Sequence, residues 1–157
     1  MTVKGLGDQS RAVTQLKPGT RVFIEGPYGA FTRHAGSTES VALIGAGVGI
    51  TPLRALLEDL PEFVSVTVIV RASKPEDIIH RDELATLVDQ RGGQFHEVIG
   101  SRHQVDIDAD VLRQLVPDLA QSDVYICGPK DFNQNIVAAA IALGVHRDQI
   151  HLEAFSF

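Results

Sequence analysis

Three glycines at alternate positions, followed by a threonine and a proline, are the part of this sequence that points most directly to chemistry. They are Gly45, Gly47, Gly49, Thr51 and Pro52. Four apolar residues before them predict a short buried strand, and an apolar pattern with helical spacing follows. Glycines let a ligand approach the backbone, and a helix start offers free N–H groups at a positive dipole end. This strand, turn and helix therefore suit the phosphates of a nucleotide.

The glycine spacing alone leaves a second interpretation open, because a tight turn in any α/β domain has the same composition. A P-loop is excluded, since no Lys-Ser or Lys-Thr pair follows the glycines. The next predicted strand ends in Arg71, where an ordinary dinucleotide fold usually has an acidic residue. A positive charge there disfavours a bare ribose and tolerates a 2′-phosphate.

Strands and helices alternate along the chain, and this order predicts the fold class. The predicted strands are residues 41–44, 64–70, 95–99, 123–127 and 149–154, and the predicted helices are residues 51–60, 81–90, 110–115 and 133–143. Thr51 is expected to be the N-cap of its helix, with Pro52 at the first helical position. We therefore predict an α/β fold with a doubly wound, five-stranded parallel sheet, which binds ligands at the carboxyl ends of its strands.

Residues 1–37 do not read as the start of a domain. A short helical run follows Gly7 and Ser10, residues 21–25 alternate as a strand does, and residues 34–40 are small and polar, as in a linker. Two strands and a helix bury little apolar surface by themselves. We therefore predict two parts, residues 1–37 and 38–157, of which the second is the nucleotide domain.

The composition excludes several classes of function. The 157 residues carry a formal net charge of −6, which argues against nucleic-acid binding. A single cysteine, Cys127, excludes a disulfide framework, and the six histidines show no metal-ligand spacing, so no metal is predicted. No apolar run is long enough to span a membrane, and the first residues lack an apolar signal-peptide core. We therefore expect a cytoplasmic chain without a membrane span.

Four motifs make the chain resemble the NAD(P)-binding half of the ferredoxin–NADP reductase superfamily. They are GPYG at residues 26–29, GAGVGITP at residues 45–52, YICGP at residues 125–129 and the terminal EAFSF at residues 153–157. Within the superfamily, the opening VKGLGD, RDEL at residues 81–84 and LVPDL at residues 115–119 resemble the dehydrogenase part of bacterial ferric reductase-like membrane proteins, which are relatives of NADPH oxidases.

The resemblance implies hydride transfer from NADPH to a bound FAD. By analogy with the family, Thr51 would hold the nicotinamide end and Cys127, with Gly128 and Pro129, would lie beside the reacting carbon. Glu153 would assist the transfer, and Phe155 or Phe157 would cover the flavin. The pair Ser101 and Arg102 matches one that holds the 2′-phosphate in plant-type members, with Arg71 adding to it. Gly7 and Ser10 would meet the flavin pyrophosphate at a helix start.

Each of these residues also has a purely structural interpretation. Cys127 could be a core residue at the end of an apolar strand, although the adjacent Gly128-Pro129 and the glycine turn favour the functional interpretation. Glu153 is equally consistent with a solvated strand end. Arg102 would then be a surface arginine, and the two terminal phenylalanines would anchor the tail.

The sequence departs from the family in its flavin motif. The family's Arg-x-Tyr-Ser is missing, because Tyr28 and Tyr125 are followed by Gly29 and Ile126. We therefore expect residues 1–37 to be the remnant of an antiparallel flavin-binding barrel. The missing barrel, and a part of the same protein such as a haem-bearing membrane domain, would be its partners. Alone, the chain should bind NADP(H) weakly and should not turn over.

Two other functions remain open from the sequence. One is a non-catalytic module that senses NADP(H) or serves for docking. The other is an NADH-using oxygenase reductase component, although such proteins often carry an iron–sulfur domain with clustered cysteines and this chain has one cysteine.

Overall fold

The structure, a computed structural model, describes residues 3, 5, 7–23, 31–101 and 106–154. The chain divides into two compact units, Met1–Ala30 and Phe31–Phe157. The described part of the first unit contains one helix, α1 (Asp8–Thr14). Residues 21–23, the described part of a predicted strand, are not a strand. The assignment of residues 1–37 to a flavin-barrel remnant stays a prediction.

The second unit is an alternation of strands and helices. In chain order these are β1 (Ser40–Ala46), α2 (Ile50–Asp59), β2 (Ser65–Ala72), α3 (Arg81–Gln90), β3 (Gln94–Ile99), α4 (Ala109–Leu115), β4 (Asp123–Gly128), α5 (Lys130–Ala142) and β5 (Ile150–Ala154). The five strands form one sheet in the order β3-β2-β1-β4-β5, and every pair is parallel. This confirms the predicted α/β fold. In the described part of the chain, no helix has the length and apolar character needed to cross a membrane.

Alternate residues of each strand enter one of two apolar cores, because side chains of a strand point to opposite faces of the sheet. Leu43, Val68 and Tyr125 pack on the side of α2 and α3. Ile44, Ile69 and Ile126 pack on the side of α4 and α5. Both faces of the central strands are therefore covered, and their carboxyl ends are left as the edge where a ligand has access.

Three helices, α2, α4 and α5, begin earlier than the sequence predicts. The prediction that Thr51 is an N-cap is wrong, because the single 3₁₀ turn Gly47–Gly49 leads directly into α2 and Gly49 takes the cap position. Pro52 is consequently the third helical residue, where its missing N–H is still without cost. Helix α5 begins at Lys130, directly after Pro129, so that two charged residues, Lys130 and Asp131, open it.

The predicted linker, residues 34–40, is instead fixed to the amino end of the sheet by a buried carboxylate. The backbone N–H groups of Ser37 and Thr38 donate to Asp123 Oδ2 over 2.7 and 2.6 Å. His151 Nε2 lies 3.0 Å from Asp123 Oδ1, and Asp123 is completely buried. Burial by itself raises the pKa of Asp123, but these hydrogen bonds outweigh it and hold the pKa below its ordinary value. The ionised carboxylate is therefore the stable form in the fold.

Replacing this carboxylate should destabilise the fold strongly. We expect Asp123→Ala to lower the free energy of unfolding by about 3 kcal/mol, because it leaves several buried donors without an acceptor. Urea denaturation followed by circular dichroism measures this. Asp110→Ala is the matched control, since that acid pairs with Arg113 on the surface and should cost at most about 1 kcal/mol. Equal losses for the two variants would contradict this account of Asp123.

The pH dependence of stability follows from the same group. Because the pKa of Asp123 is lowered by folding, its contribution is fully present above about pH 4, the unfolded pKa. It is lost as the pH falls from there through the folded pKa. Denaturation of Asp123→Asn should therefore show a shallower decline in stability below about pH 4 than the unsubstituted chain.

Candidate nucleotide-binding site

The register of three neighbouring strands brings predicted site residues side by side at the carboxyl edge of the sheet. Gly45 of β1 is opposite Cys127 of β4, and Cys127 is opposite Glu153 of β5. The order of the strands changes direction between β1 and β4, and ligands of such sheets bind at that point. The site residues therefore meet where this fold class places its ligand.

The glycine turn after β1 packs directly on the end of β4. Gly47 has φ +57°, a backbone conformation that suits glycine. A Cβ atom at Gly49 would overlap the carbonyl group of Cys127 and lie 2.9 Å from the Gly128 nitrogen. This contact holds the two predicted motifs, the glycine turn and Cys-Gly-Pro, against one another.

Thr51, in the first turn of α2, has an unused hydroxyl. Its Oγ1 atom is buried, and it forms no hydrogen bond with the described part of the protein. Buried polar atoms are nearly always hydrogen-bonded, so an unpaired one at a helix start beside a glycine turn fits a site that a polar ligand completes. Pro52 follows it in the same turn.

Cys127 and Glu153 form a pair on one face of the sheet. Burial first, and the charge of Glu153 second, raise the pKa of the Cys127 thiol to about 12, so the thiol is protonated at neutral pH. Asn133 of α5 donates from Nδ2 to the Glu153 carbonyl oxygen over 3.0 Å and so fixes the end of β5. Asn133 Oδ1 is buried and makes no hydrogen bond in the described structure.

A cavity of about 250 Å³ opens at the same edge, on the side of the sheet that α5 covers. It is lined by Ala46, Arg71, Asp106, Pro129, Asp131, Phe132 and Asn135. Arg71 Nη2 donates to the carbonyl oxygen of Gly100 over 3.2 Å, which ties the ends of β2 and β3 together. The sequence predicted Arg71 and Pro129 at this site and missed the others. Asp131 and Phe132 could have been predicted from the sequence, since they come two and three residues after Pro129, close to a strand end.

The remaining predicted residues are not brought into this group by the described structure. Arg102, Phe155, Phe157 and the GPYG turn at residues 26–29 lie outside the described residues. Ser101 is half-buried just after β3. Gly7 and Ser10 belong to the first unit, where the Gly7 N–H donates to Ser10 Oγ over 2.9 Å.

Comparison with protein families and curated proteins agrees with this geometry. The model of the oxidoreductase NAD-binding domain matches residues 43–138. The chain is 31% identical to a flavohemoprotein of Vibrio cholerae, covering 89% of this chain and 36% of that protein. It is 31% identical to ferredoxin–NADP reductase B of Sorangium cellulosum, over 95% of this chain and 68% of that protein. It is 28% identical to the reductase component of propane 2-monooxygenase of Rhodococcus jostii, over 90% of this chain and 42% of that protein.

Solved structures show the same fold. The FAD/NAD-binding domain of nitric oxide dioxygenase from Vibrio cholerae superposes with a TM-score of 0.62 at 29% identity, covering 73% of this chain and 50% of that one. Flavohemoglobin from Malassezia yamatoensis gives a TM-score of 0.75 at 20% identity, covering 99% and 43%, and shows the fold alone.

The chain thus spans well under half the length of the flavohemoprotein and of the monooxygenase reductase. The family match confirms one predicted cofactor class, a nicotinamide dinucleotide. The predicted role of FAD stays a prediction. The chain therefore belongs to the oxidoreductase NAD-binding domain family, the nucleotide-binding part of the ferredoxin–NADP reductase superfamily.

Proposed function

We propose that this chain is the NADPH-binding module of an FAD-dependent oxidoreductase and presents NADPH for hydride delivery to FAD. The observation that carries the proposal is the packing of Gly49 on the Cys127–Gly128 peptide, with Glu153 in the next strand. This contact puts a phosphate-binding turn beside a neutral thiol and a carboxylate. A turn that served only to connect a strand to a helix would not require that arrangement.

In this proposal, different residues bind different parts of the nucleotide. The glycine turn and the first turn of α2 would take the pyrophosphate, since free N–H groups and the helix dipole favour anions there. The unpaired Thr51 hydroxyl would hold the nicotinamide end, and Arg71 would serve the 2′-phosphate, because a guanidinium bonds two phosphate oxygens at once.

When bound, NADPH supplies the hydride, and the chain's own groups provide its electrostatic surroundings. The Cys127 thiol keeps its proton on Sγ and places no charge at the site, because burial raises its pKa to about 12. The Glu153 carboxylate adds negative charge in the adjacent strand, and fixed negative charge favours a donor that becomes cationic as the hydride leaves. Asn133 positions Glu153 through the hydrogen bond to its carbonyl.

We further propose that the whole protein is of the ferric reductase and NADPH oxidase type, with an acceptor such as haem, ferric iron or oxygen. In this proposal residues 1–37 are the remnant of the flavin barrel, with Gly7 and Ser10 near the flavin pyrophosphate. Arg102 adds to the 2′-phosphate site, and Phe155 or Phe157 covers the flavin. The chain by itself then binds nucleotide without turnover, on the cytoplasmic side of a membrane part.

A second candidate is the reductase component of an oxygenase that uses NADH. It is supported by the likeness to the propane 2-monooxygenase reductase component, which covers 90% of this chain. The two candidates differ in the nucleotide that the chain prefers.

Calorimetric titration of the chain tests the proposal directly. We expect NADP⁺ and 2′,5′-ADP to bind, NAD⁺ to bind more weakly, and FAD to give little heat. A preference for NAD⁺ would favour the oxygenase reductase. Absence of binding by all four compounds would contradict a nucleotide-binding function for the chain.

The close packing of the glycine turn predicts the effect of one methyl group. Gly49→Ala should weaken NADP⁺ binding at least tenfold, because the added Cβ overlaps the Cys127 carbonyl and forces the turn away from β4. Gly5→Ala is the control, since its Cβ would meet nothing closer than 3.4 Å. Calorimetry gives the affinity and thermal unfolding reports the cost to the fold. Unchanged binding by Gly49→Ala would contradict the site.

Thr51→Val separates ligand binding from folding. Because Thr51 Oγ1 has no partner in the described structure, the change should leave the melting temperature equal or higher. The same variant should bind NADP⁺ about threefold more weakly and 2′,5′-ADP unchanged, if the hydroxyl serves the nicotinamide end. An equal loss of affinity for both ligands would indicate that the hydroxyl contacts the phosphates. No loss of affinity for either ligand would show that the hydroxyl does not belong to the binding site.

A further inference from the structure

The cavity beside Arg71 contains charges of both signs. Arg71 reaches it from the end of β2, Asp106 from the segment before α4, and Asp131 from the first turn of α5. Asn135, one helical turn after Asp131, lines the same wall. The described residues of the cavity therefore supply one guanidinium and two carboxylates, which is a net negative balance beside Arg71.

These charged groups differ in how many of their hydrogen-bonding atoms already have a partner within the protein. Arg71 uses Nη2 for the Gly100 carbonyl and has other N–H groups to offer, because a guanidinium carries five. Asp106 Oδ1 accepts from the N–H of Ile107 over 3.0 Å. Asp131 is exposed and makes no hydrogen bond or ion pair with the described residues. Asp131 is thus the group with most of its acceptor capacity unused.

The two charge types favour different forms of an adenosine ribose. A carboxylate accepts hydrogen bonds from the hydroxyls of a bare ribose and repels a 2′-phosphate, whereas an arginine binds that phosphate. With both charge types in one cavity, the discrimination between NADPH and NADH depends on two opposing contributions to the binding free energy, the attraction of the 2′-phosphate by Arg71 and its repulsion by the carboxylates. The position of each charge, and not Arg71 alone, then sets the preference.

We propose that Asp131 and Asp106 are specificity-determining residues that oppose Arg71 and limit the preference of this site for a 2′-phosphorylated nucleotide. The inference depends on the proposed nucleotide-binding function and adds to it the residues that set its selectivity. Asp131 has the larger effect, because it is unpaired, while Asp106 is partly engaged by a backbone N–H. The site accordingly accepts both NADPH and NADH, with NADPH favoured by a small factor.

The test uses two ligands that differ only in the 2′-phosphate, 2′,5′-ADP and 5′-AMP. In calorimetric titrations of the whole chain at low salt, Asp131→Asn should raise the affinity for 2′,5′-ADP about fivefold and leave that for 5′-AMP equal or lower. Asp106→Asn should act in the same direction by a smaller factor. Arg71→Gln should act oppositely and lower only the affinity for 2′,5′-ADP. The Asp131 effect should shrink at high salt, where charges in contact with solvent are screened.

Asp89→Asn is the matched control, because it removes one exposed carboxylate from the end of α3 and so makes the same change in net charge. An equal gain from this control would assign the effect to the overall charge and overturn the proposal. So would an Asp131→Asn variant whose ratio of the two affinities is unchanged. Thermal unfolding identifies any variant that loses binding through the fold, since Asp131 also lies at a helix start where acids stabilise.

The two proposals fail in different ways. If the unsubstituted chain binds neither 2′,5′-ADP nor 5′-AMP, the nucleotide-binding function fails and the selectivity residues fail with it. If it binds them and Asp131→Asn leaves their ratio unchanged, only the assignment of Asp131 fails.

Discussion

The contact of Gly49 with the Cys127–Gly128 peptide is the constraint on which the nucleotide site depends. It joins the turn after β1 to the end of β4, two segments about eighty residues apart in the chain. Only a residue without a side chain allows the two backbones to come this close. Once they touch, the start of α2, the Cys127 thiol and the Glu153 carboxylate share one edge of the sheet.

The opposite edge of the same strands is held by a different kind of interaction. There, Asp123 collects hydrogen bonds from Ser37, Thr38 and His151, and the ring of Tyr125 lies 4.4 Å from that of His151. A buried carboxylate is stable only when it is well paired, so this end of the sheet has little freedom to move. The polar groups at this edge partner each other. At the carboxyl edge the hydroxyl of Thr51 and the amide oxygen of Asn133 have no partner among the described residues. The two edges therefore differ in how far their buried polar groups are hydrogen-bonded.

The mixed charge of the cavity beside Arg71 follows from which elements converge on it. Arg71 is the last residue but one of β2, while Asp106 and Asp131 come from segments that are thirty-five and sixty residues further along the chain. A crossover to the far side of β1 brings the start of α5 next to the end of β2. The combination of charges in this cavity is in this way a property of the fold, although each charge is local.

The sequence by itself determined the fold class and the helix Arg81–Gln90, because strand periodicity and the positions of glycine and proline act locally. Two predictions from the sequence were wrong: the start of α2 at Thr51 and the linker at residues 34–40. In both cases the conformation of the segment depends on contacts with distant parts of the chain, which the local sequence does not show. Only the tertiary structure decided that Gly49 lies on Cys127, that Thr51 is left unpaired, and that Asp106 and Asp131 face Arg71's cavity. These facts depend on strand order and register, which bring together residues that no local pattern connects.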